Sequence, residues 1–233
     1  MNLQGKRLLI TGGAKRVGLA IAREMAGAGC RIILHARNMS DASRAVESLP
    51  GTGHRAIAGD LADPAAVENI CHAAGTFEYL VNNAALFFRP GSAEDIGAKE
   101  LYDQVNFKTP GMLLEYFFAQ NISEGAAVNI TDCFALLPGS GAYWQSKKDL
   151  TDLTVKLAPL WAERKFRINA VAPGPMLPPP WALESRMEKI LQTVPLHRPV
   201  ELGEVVEMVK FMLTAGSITG AVVPVDGGIS ARG

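Results

Sequence analysis

Short apolar runs alternate along the chain with longer stretches whose apolar residues recur every three or four positions. The runs at 7–11 (RLLIT), 31–36 (RIILHA), 54–59, 77–81, 126–131 (AAVNIT), 166–172 and 221–225 read as strands. Several are apolar at consecutive positions, as strands are when both faces of a sheet are covered. The stretches at 19–28, 41–49, 64–73, 99–119, 142–164 and 202–213 have helical spacing. Strand and helix alternate from one end to the other. This predicts βαβ units, a parallel sheet of seven strands with helices on both faces, and one doubly wound α/β domain over 1–233. Residues 173–181 (PGPMLPPPW) break the pattern with five prolines, a stiff and extended segment. It lies past the carboxyl end of the sixth strand, where ligands of such sheets bind, so 173–195 reads as a substrate loop.

Composition narrows the function classes. The 233 residues are 48% hydrophobic and 20% charged, an ordinary folded balance. Basic and acidic residues number 23 each, so no positive field draws nucleic acid. Cys30, Cys71 and Cys133 form no CxxC pair, and the four histidines have no metal-ligand spacing. No metal and no disulfide framework are expected, and a reducing cytoplasm fits best. The amino-terminal residues hold no apolar segment long enough for a signal peptide, and the longest uncharged stretch, 168–183, is broken by prolines. No membrane span is expected.

The first candidate chemistry follows the first strand. Thr11-Gly12-Gly13-Ala14-Lys15-Arg16-Val17-Gly18 is a glycine-rich turn opening a helix. Glycines let backbone approach a pyrophosphate, and a helix N-terminus offers unpaired N–H groups. NAD enzymes place a carboxylate at the end of the second strand to hold the ribose diol. Here that end reads Leu34-His35-Ala36-Arg37-Asn38, without an acid. Arg37 and Arg16 can instead grip a 2′-phosphate, so NADPH is expected over NADH. Asp60, followed by Leu61, ends the third strand and could accept a hydrogen bond from adenine or cap a helix.

The second lies in Tyr143-Trp144-Gln145-Ser146-Lys147, where Tyr143 and Lys147 share one helix face. A nearby ammonium lowers a phenol's pKa and makes it a better proton donor near neutrality.

These pieces, taken in order, resemble the short-chain dehydrogenase/reductase family over nearly the whole chain. The matching segments are TGGAKRVG at 11–18, Asp60, NNAA at 82–85, Asn106 in QVNFKTPG, YWQSK at 143–147, NAVAPGP at 169–175 and ITGAVVPVDGG at 218–228. The resemblance implies a Rossmann domain, with Tyr143 as general acid/base and Lys147 holding the ribose and tuning the tyrosine. Asn106 would anchor a water relay. Further cofactor contacts would come from Gly12, Lys15, Val17, Gly18, Asn38, Leu61, Asn83, Ala84, Ala85, Pro173 and Gly174. It also implies a homotetramer.

Five departures bear on substrate. Arg16 replaces the middle glycine of the family loop, Ala85 the last glycine of NNAG, and Pro178 the threonine after the PG motif. The loop from Asp132 to Tyr143 is about two residues shorter than in most relatives. Asp132 stands where the family's catalytic serine belongs. Arg16 together with Asp132 is similar to the pteridine and dihydromonapterin or dihydrofolate reductases of this family. Phe87 falls where their pterin-stacking phenylalanine would be. Trp144, Met176 and Trp181 are the remaining candidates for the pocket wall. An ionised Asp132 only accepts hydrogen bonds and repels both a carbonyl oxygen and a developing phenolate, raising the tyrosine pKa, which suits a C=N substrate better than a ketone. Asp132 could also be kept protonated in an apolar site, or turn away and leave Thr131 or Cys133 nearby. The expected function is NADPH-dependent reduction of a pterin or folate C=N bond. The alternatives are a ketone reductase, such as one for 3-oxoacyl thioesters, and a non-catalytic NADPH sensor.

Overall fold

The computed structural model describes residues 2–176 and 184–232, with 184–186 by backbone alone. Seven strands form one parallel sheet: β1 (Arg7–Ile10), β2 (Arg31–Ala36), β3 (Arg55–Ala58), β4 (Tyr79–Asn82), β5 (Gly125–Ile130), β6 (Phe166–Pro173) and β7 (Val222–Val225). Their order is β3-β2-β1-β4-β5-β6-β7. The chain therefore winds outward one way from β1 and then the other way from β4. The reversal leaves a crevice beyond the carboxyl ends of β1 and β4.

Helices cover both faces because the strands are apolar on both. On one side α1 (Arg16–Gly27), α2 (Met39–Glu47) and α9 (Leu202–Thr214) bury Ile21, Met25, Ala42 and Val209 against Leu8, Ile10, Ile32 and Leu34. On the other, α3 (Pro64–Ala74), α6 (Thr109–Ala119) and α7 (Ala142–Ala162) bury Ile70, Phe117 and Trp161 against Leu9, Ile33, Leu80 and Ile168. Phe77 and Phe117 stack there at 5.4 Å. Adjacent residues Leu8, Leu9 and Ile10 thus feed opposite layers, which is the period-two geometry of a strand.

Three element boundaries differ from the sequence reading. The first helix starts at Arg16, inside the glycine-rich turn, because the loop tightens directly into it. The helix expected over 99–119 comprises α5 (Lys99–Tyr102), a π-helical segment at Asp103–Lys108 and then α6. The expected substrate loop 173–195 contains a helix, α8 (Glu184–Thr193), whose polar sequence after a proline run gave no apolar stripe strong enough to mark it. A short helix, α4 (Ala93–Ile96), was also not expected. Among the described residues no helix is long and apolar enough to cross a membrane.

Candidate active site

A cleft of about 470 Å³ opens beyond the carboxyl ends of β5 and β6. Its chemistry begins where β5 stops. Asp132 caps a 3₁₀ turn, Cys133–Leu136, by accepting the Phe134 N–H at 2.9 Å through Oδ1. That cap fixes the carboxyl, and its Oδ2 accepts the Tyr143 hydroxyl proton at 2.9 Å. Asp132 has therefore not turned away from the tyrosine. Cys133 points instead into an apolar cluster with Val194 and Ile229, and burial pushes its thiol pKa up. The Thr131 hydroxyl is spent on the Val171 carbonyl at 3.3 Å.

Tyr143 stands in the first turn of α7, and Lys147 follows one turn later on the same face. The Lys147 ammonium donates to the Ile130 carbonyl at 2.9 Å. Burial lowers its pKa to about 8, although the Asp132 carboxylate favours its charge. Burial lifts Tyr143 well above the usual tyrosine value, and the Asp132 charge and hydrogen bond lift it further. Burial also raises Asp132, against the Phe134 N–H, the Tyr143 hydroxyl and the Lys147 charge. On sequence grounds the Lys147 ammonium lowers the phenol's pKa and an ionised Asp132 raises it; in the structure the carboxylate is hydrogen-bonded to the phenol and the shift is upward.

Asn106 lies in the π-helical segment and is fully buried. Its amide exchanges two hydrogen bonds with the Leu86 backbone, at 2.7 Å to the N–H and 3.0 Å to the carbonyl, and donates to Ser146 Oγ at 3.2 Å. It thereby ties the segment after β4 to α7. The next residue along that segment, Phe87, lies over Tyr143 with ring centroids 4.5 Å apart. Tyr102 meets Tyr143 edge-on at 5.7 Å, and its hydroxyl accepts the Phe88 N–H and donates to Asp95. The Trp144 indole donates to the Phe134 carbonyl at 2.9 Å. Met176, Met187 and Ile190 complete an apolar wall.

Toward the amino-terminal loop, the cleft is bordered by Arg16, Val17, Asn83, Ala85, Pro173 and Gly174. The loop is close-packed. A Cβ on Gly18 would collide with the Gly12 carbonyl, and one on Gly12 would sit 3.0 Å from Ala84 Cα. Gly12 has φ +62°, which glycine adopts without strain. Arg16 has φ +53°, a conformation in which a non-glycine residue costs on the order of 1 kcal/mol. The Asn83 side chain donates to the carbonyls of Thr11 and Gly12.

Other candidates do not line this cleft. Lys15 and Arg37 are exposed, at the start of α1 and just past the end of β2. Asn38 caps α2, its Oδ1 accepting the Asp41 N–H. Asp60 is exposed and its Oδ1 accepts the Ala62 N–H, while Leu61 is buried. Trp181 and Pro178 lie outside the described residues. The cleft also uses Phe134, Met187 and Ile190, which were not expected from sequence. The i, i+3 spacing of Met187 and Ile190 was the available signal, and the prolines before it obscured it.

A family model described as enoyl-(acyl carrier protein) reductase matches residues 12–230. The chain is 31% identical to L-xylulose reductase from Bos taurus, over 99% of each chain. It is 31% identical to 3-oxoacyl-[acyl-carrier-protein] reductase from Homo sapiens, over 94% of this chain and 96% of that one. Among solved structures it is similar to FolM alternative dihydrofolate reductase 1 from Brucella canis, complexed with NADP. That similarity has a TM-score of 0.81 and 31% identity, over 97% of this chain and 94% of that one.

Proposed function

Because this chain belongs to the short-chain dehydrogenase/reductase family of oxidoreductases, we propose that it is an NADPH-dependent reductase whose substrate is a reduced pterin or folate. The observation that carries this reading is the contact between Asp132 and Tyr143, with Phe87 over the tyrosine ring. A serine at the position of Asp132 would donate a hydrogen bond to a carbonyl oxygen. An ionised carboxylate there accepts instead, and a pterin offers N–H groups to accept from.

The residues present fit the cofactor. Glycines 12 and 18 leave no room for side chains where backbone must meet phosphate. No acid stands at the end of β2 to repel a 2′-phosphate, and Arg37 is exposed there. NADPH supplies a hydride to the substrate carbon when bound. Lys147 has one hydrogen-bond partner among the described residues, Ile130, and its remaining protons suit ribose hydroxyls. Tyr143, kept protonated by burial and by Asp132, is the proton reservoir, and Asp132 aligns the substrate nitrogen and relays the proton to it. Phe87 provides a flat face for a heterocycle, beside Trp144 and Met176. Asn106 fixes the segment that carries Phe87. The solved FolM structure, a dihydrofolate reductase complexed with NADP, supports both halves of the reading.

The second reading is a ketone reductase, favoured by the relatives named for L-xylulose and 3-oxoacyl substrates. NADPH oxidation by the purified protein, run in parallel with a dihydropterin, dihydrofolate and an acetoacetyl thioester, separates them. Preferential turnover of the pterin or folate is expected, and Asp132→Ser should abolish that preference. Turnover of the thioester alone would sink the pterin reading. A Tyr143→Phe variant that binds NADPH but does not turn over would set aside a purely sensory role. A cytoplasmic homotetramer is the assembly we propose, and light scattering of the eluted protein tests its mass.

A further inference from the structure

His35 is buried at 2% exposure in β2, a strand whose carboxyl end borders the amino-terminal loop. Its Nε2 lies 3.0 Å from the Gly59 carbonyl, so that nitrogen carries the proton. The bare Nδ1 then faces the Gly12 N–H and accepts it at 3.4 Å. The other backbone group of Gly12, its carbonyl, is held by Asn83 at 3.1 Å. Both polar groups of the loop's first glycine are therefore fixed by side chains, one from β2 and one from the turn after β4.

We propose that neutral His35 is a positioning residue for cofactor binding: it orients the phosphate loop through Gly12, and its protonation loosens the site. This rests on the NADPH reading above. An imidazolium would present a second N–H to the Gly12 N–H, setting donor against donor. The bonded geometry alone sets this direction, and burial supports it by holding the imidazole pKa below its ordinary value. Two groups facing His35 oppose that burial: the hydrogen bond to the Gly59 carbonyl and the charge of Asp60 at the end of β3 both favour the imidazolium, and burial outweighs them.

The test is calorimetric titration of the protein with NADP⁺, which survives acid, between pH 8 and pH 5. The wild type is compared with His35→Gln and His35→Leu. Glutamine can accept from Gly12 and donate to Gly59 at every pH, whereas leucine can do neither. At pH 8 the leucine variant should bind about fivefold more weakly, the worth of one neutral hydrogen bond, and glutamine should restore affinity to within about twofold. On acidification the 2′-phosphate also titrates, near pH 6, but equally in all three proteins. The ratio of wild-type to His35→Gln dissociation constants should thus be flat above pH 7 and rise about threefold or more by pH 5. A flat or falling ratio with NADP⁺ binding intact overturns the inference and leaves the NADPH reading standing. A falling ratio would mean that the imidazolium attracts the phosphates directly. If no protein binds NADP⁺ at any pH, the NADPH reading fails and this inference fails with it. If His35→Gln does not fold, the wild-type imidazole is titrated by NMR with and without NADP⁺. Linkage then requires its pKa to fall on binding, and an unchanged or raised value refutes the inference.

Discussion

Asp132, Tyr143 and Lys147 each resist ionisation, because all three are buried where they line an apolar cleft. Asp132 adds to this at Tyr143, since a carboxylate 2.9 Å from a phenol opposes the phenolate. Replacing Asp132 by serine removes that charge and should lower the Tyr143 pKa. The other tyrosines provide the background: burial pushes Tyr79 and Tyr102 up to about 12, and Tyr116 above its usual value. Absorbance at the tyrosinate band should therefore show one tyrosine titrating earlier in Asp132→Ser than in the native protein, and Tyr143→Phe should delete that step. Coincident titration curves would show that the carboxylate does not govern the phenol. Lys147 yields a prediction of opposite sign for activity and stability. A lysine with a folded pKa of about 8, against about 10.4 unfolded, destabilises the fold at all pH below 8. The penalty is relieved as pH rises through 8 toward 10.4. Lys147→Met should abolish turnover yet add about 1–2 kcal/mol of stability at pH 7, a gain that shrinks above pH 8. Urea denaturation at pH 7 and pH 9.5 measures it.

At the scale of elements, the site depends on how the segment after β4 is held. Asn106 is brought to it by the π-helical segment, and its amide closes a two-bond ring with the Leu86 backbone. Asn106→Ala leaves those part-buried backbone groups unpaired, at a cost of about 1 kcal/mol or more. It also frees Phe87 from its place over Tyr143, so turnover should fall at least about tenfold, because misplacement of reacting groups is expensive. Denaturation midpoints and steady-state rates check the two effects separately. The same segment marks where sequence legibility ends. The strands were readable because 8–10 and 32–34 are apolar at every position, a pattern that two covered faces require. Tyr143 and Lys147 were readable because a helix converts a spacing of four into a shared face. The π turn was not, since periodicity averages over it. The upward shift at Tyr143 was legible from a carboxylate standing in the serine's place, but the 3₁₀ cap that pins that carboxyl onto the hydroxyl was not. The role of His35 needed the register that puts Gly12 and Gly59 on either side of one ring.

On the scale of the whole molecule, the candidate cleft lies at one end of the sheet, where β1, β4, β5 and β6 stop. A ligand bridging those ends bonds to the loop after β1, to Asn83 after β4 and to α7 at once, and so stabilises the domain as a unit. One such ligand present at a hundredfold above its dissociation constant adds about 2.7 kcal/mol. The increment reports cofactor choice, because NADPH and NADH differ only in the 2′-phosphate. With Arg37 exposed at the end of β2 and no acid at that strand's end, NADPH should raise the melting temperature more than NADH at equal concentration. Arg37→Glu should reverse the order, since a carboxylate there repels the phosphate and can accept from a ribose diol. The reversal should weaken as salt is added, because an exposed charge is screened over about 10 Å at 0.1 M. Equal shifts from the two cofactors in the native protein would mean that the arginine is a solvated surface residue, and that the sheet edge reads the dinucleotide without its third phosphate.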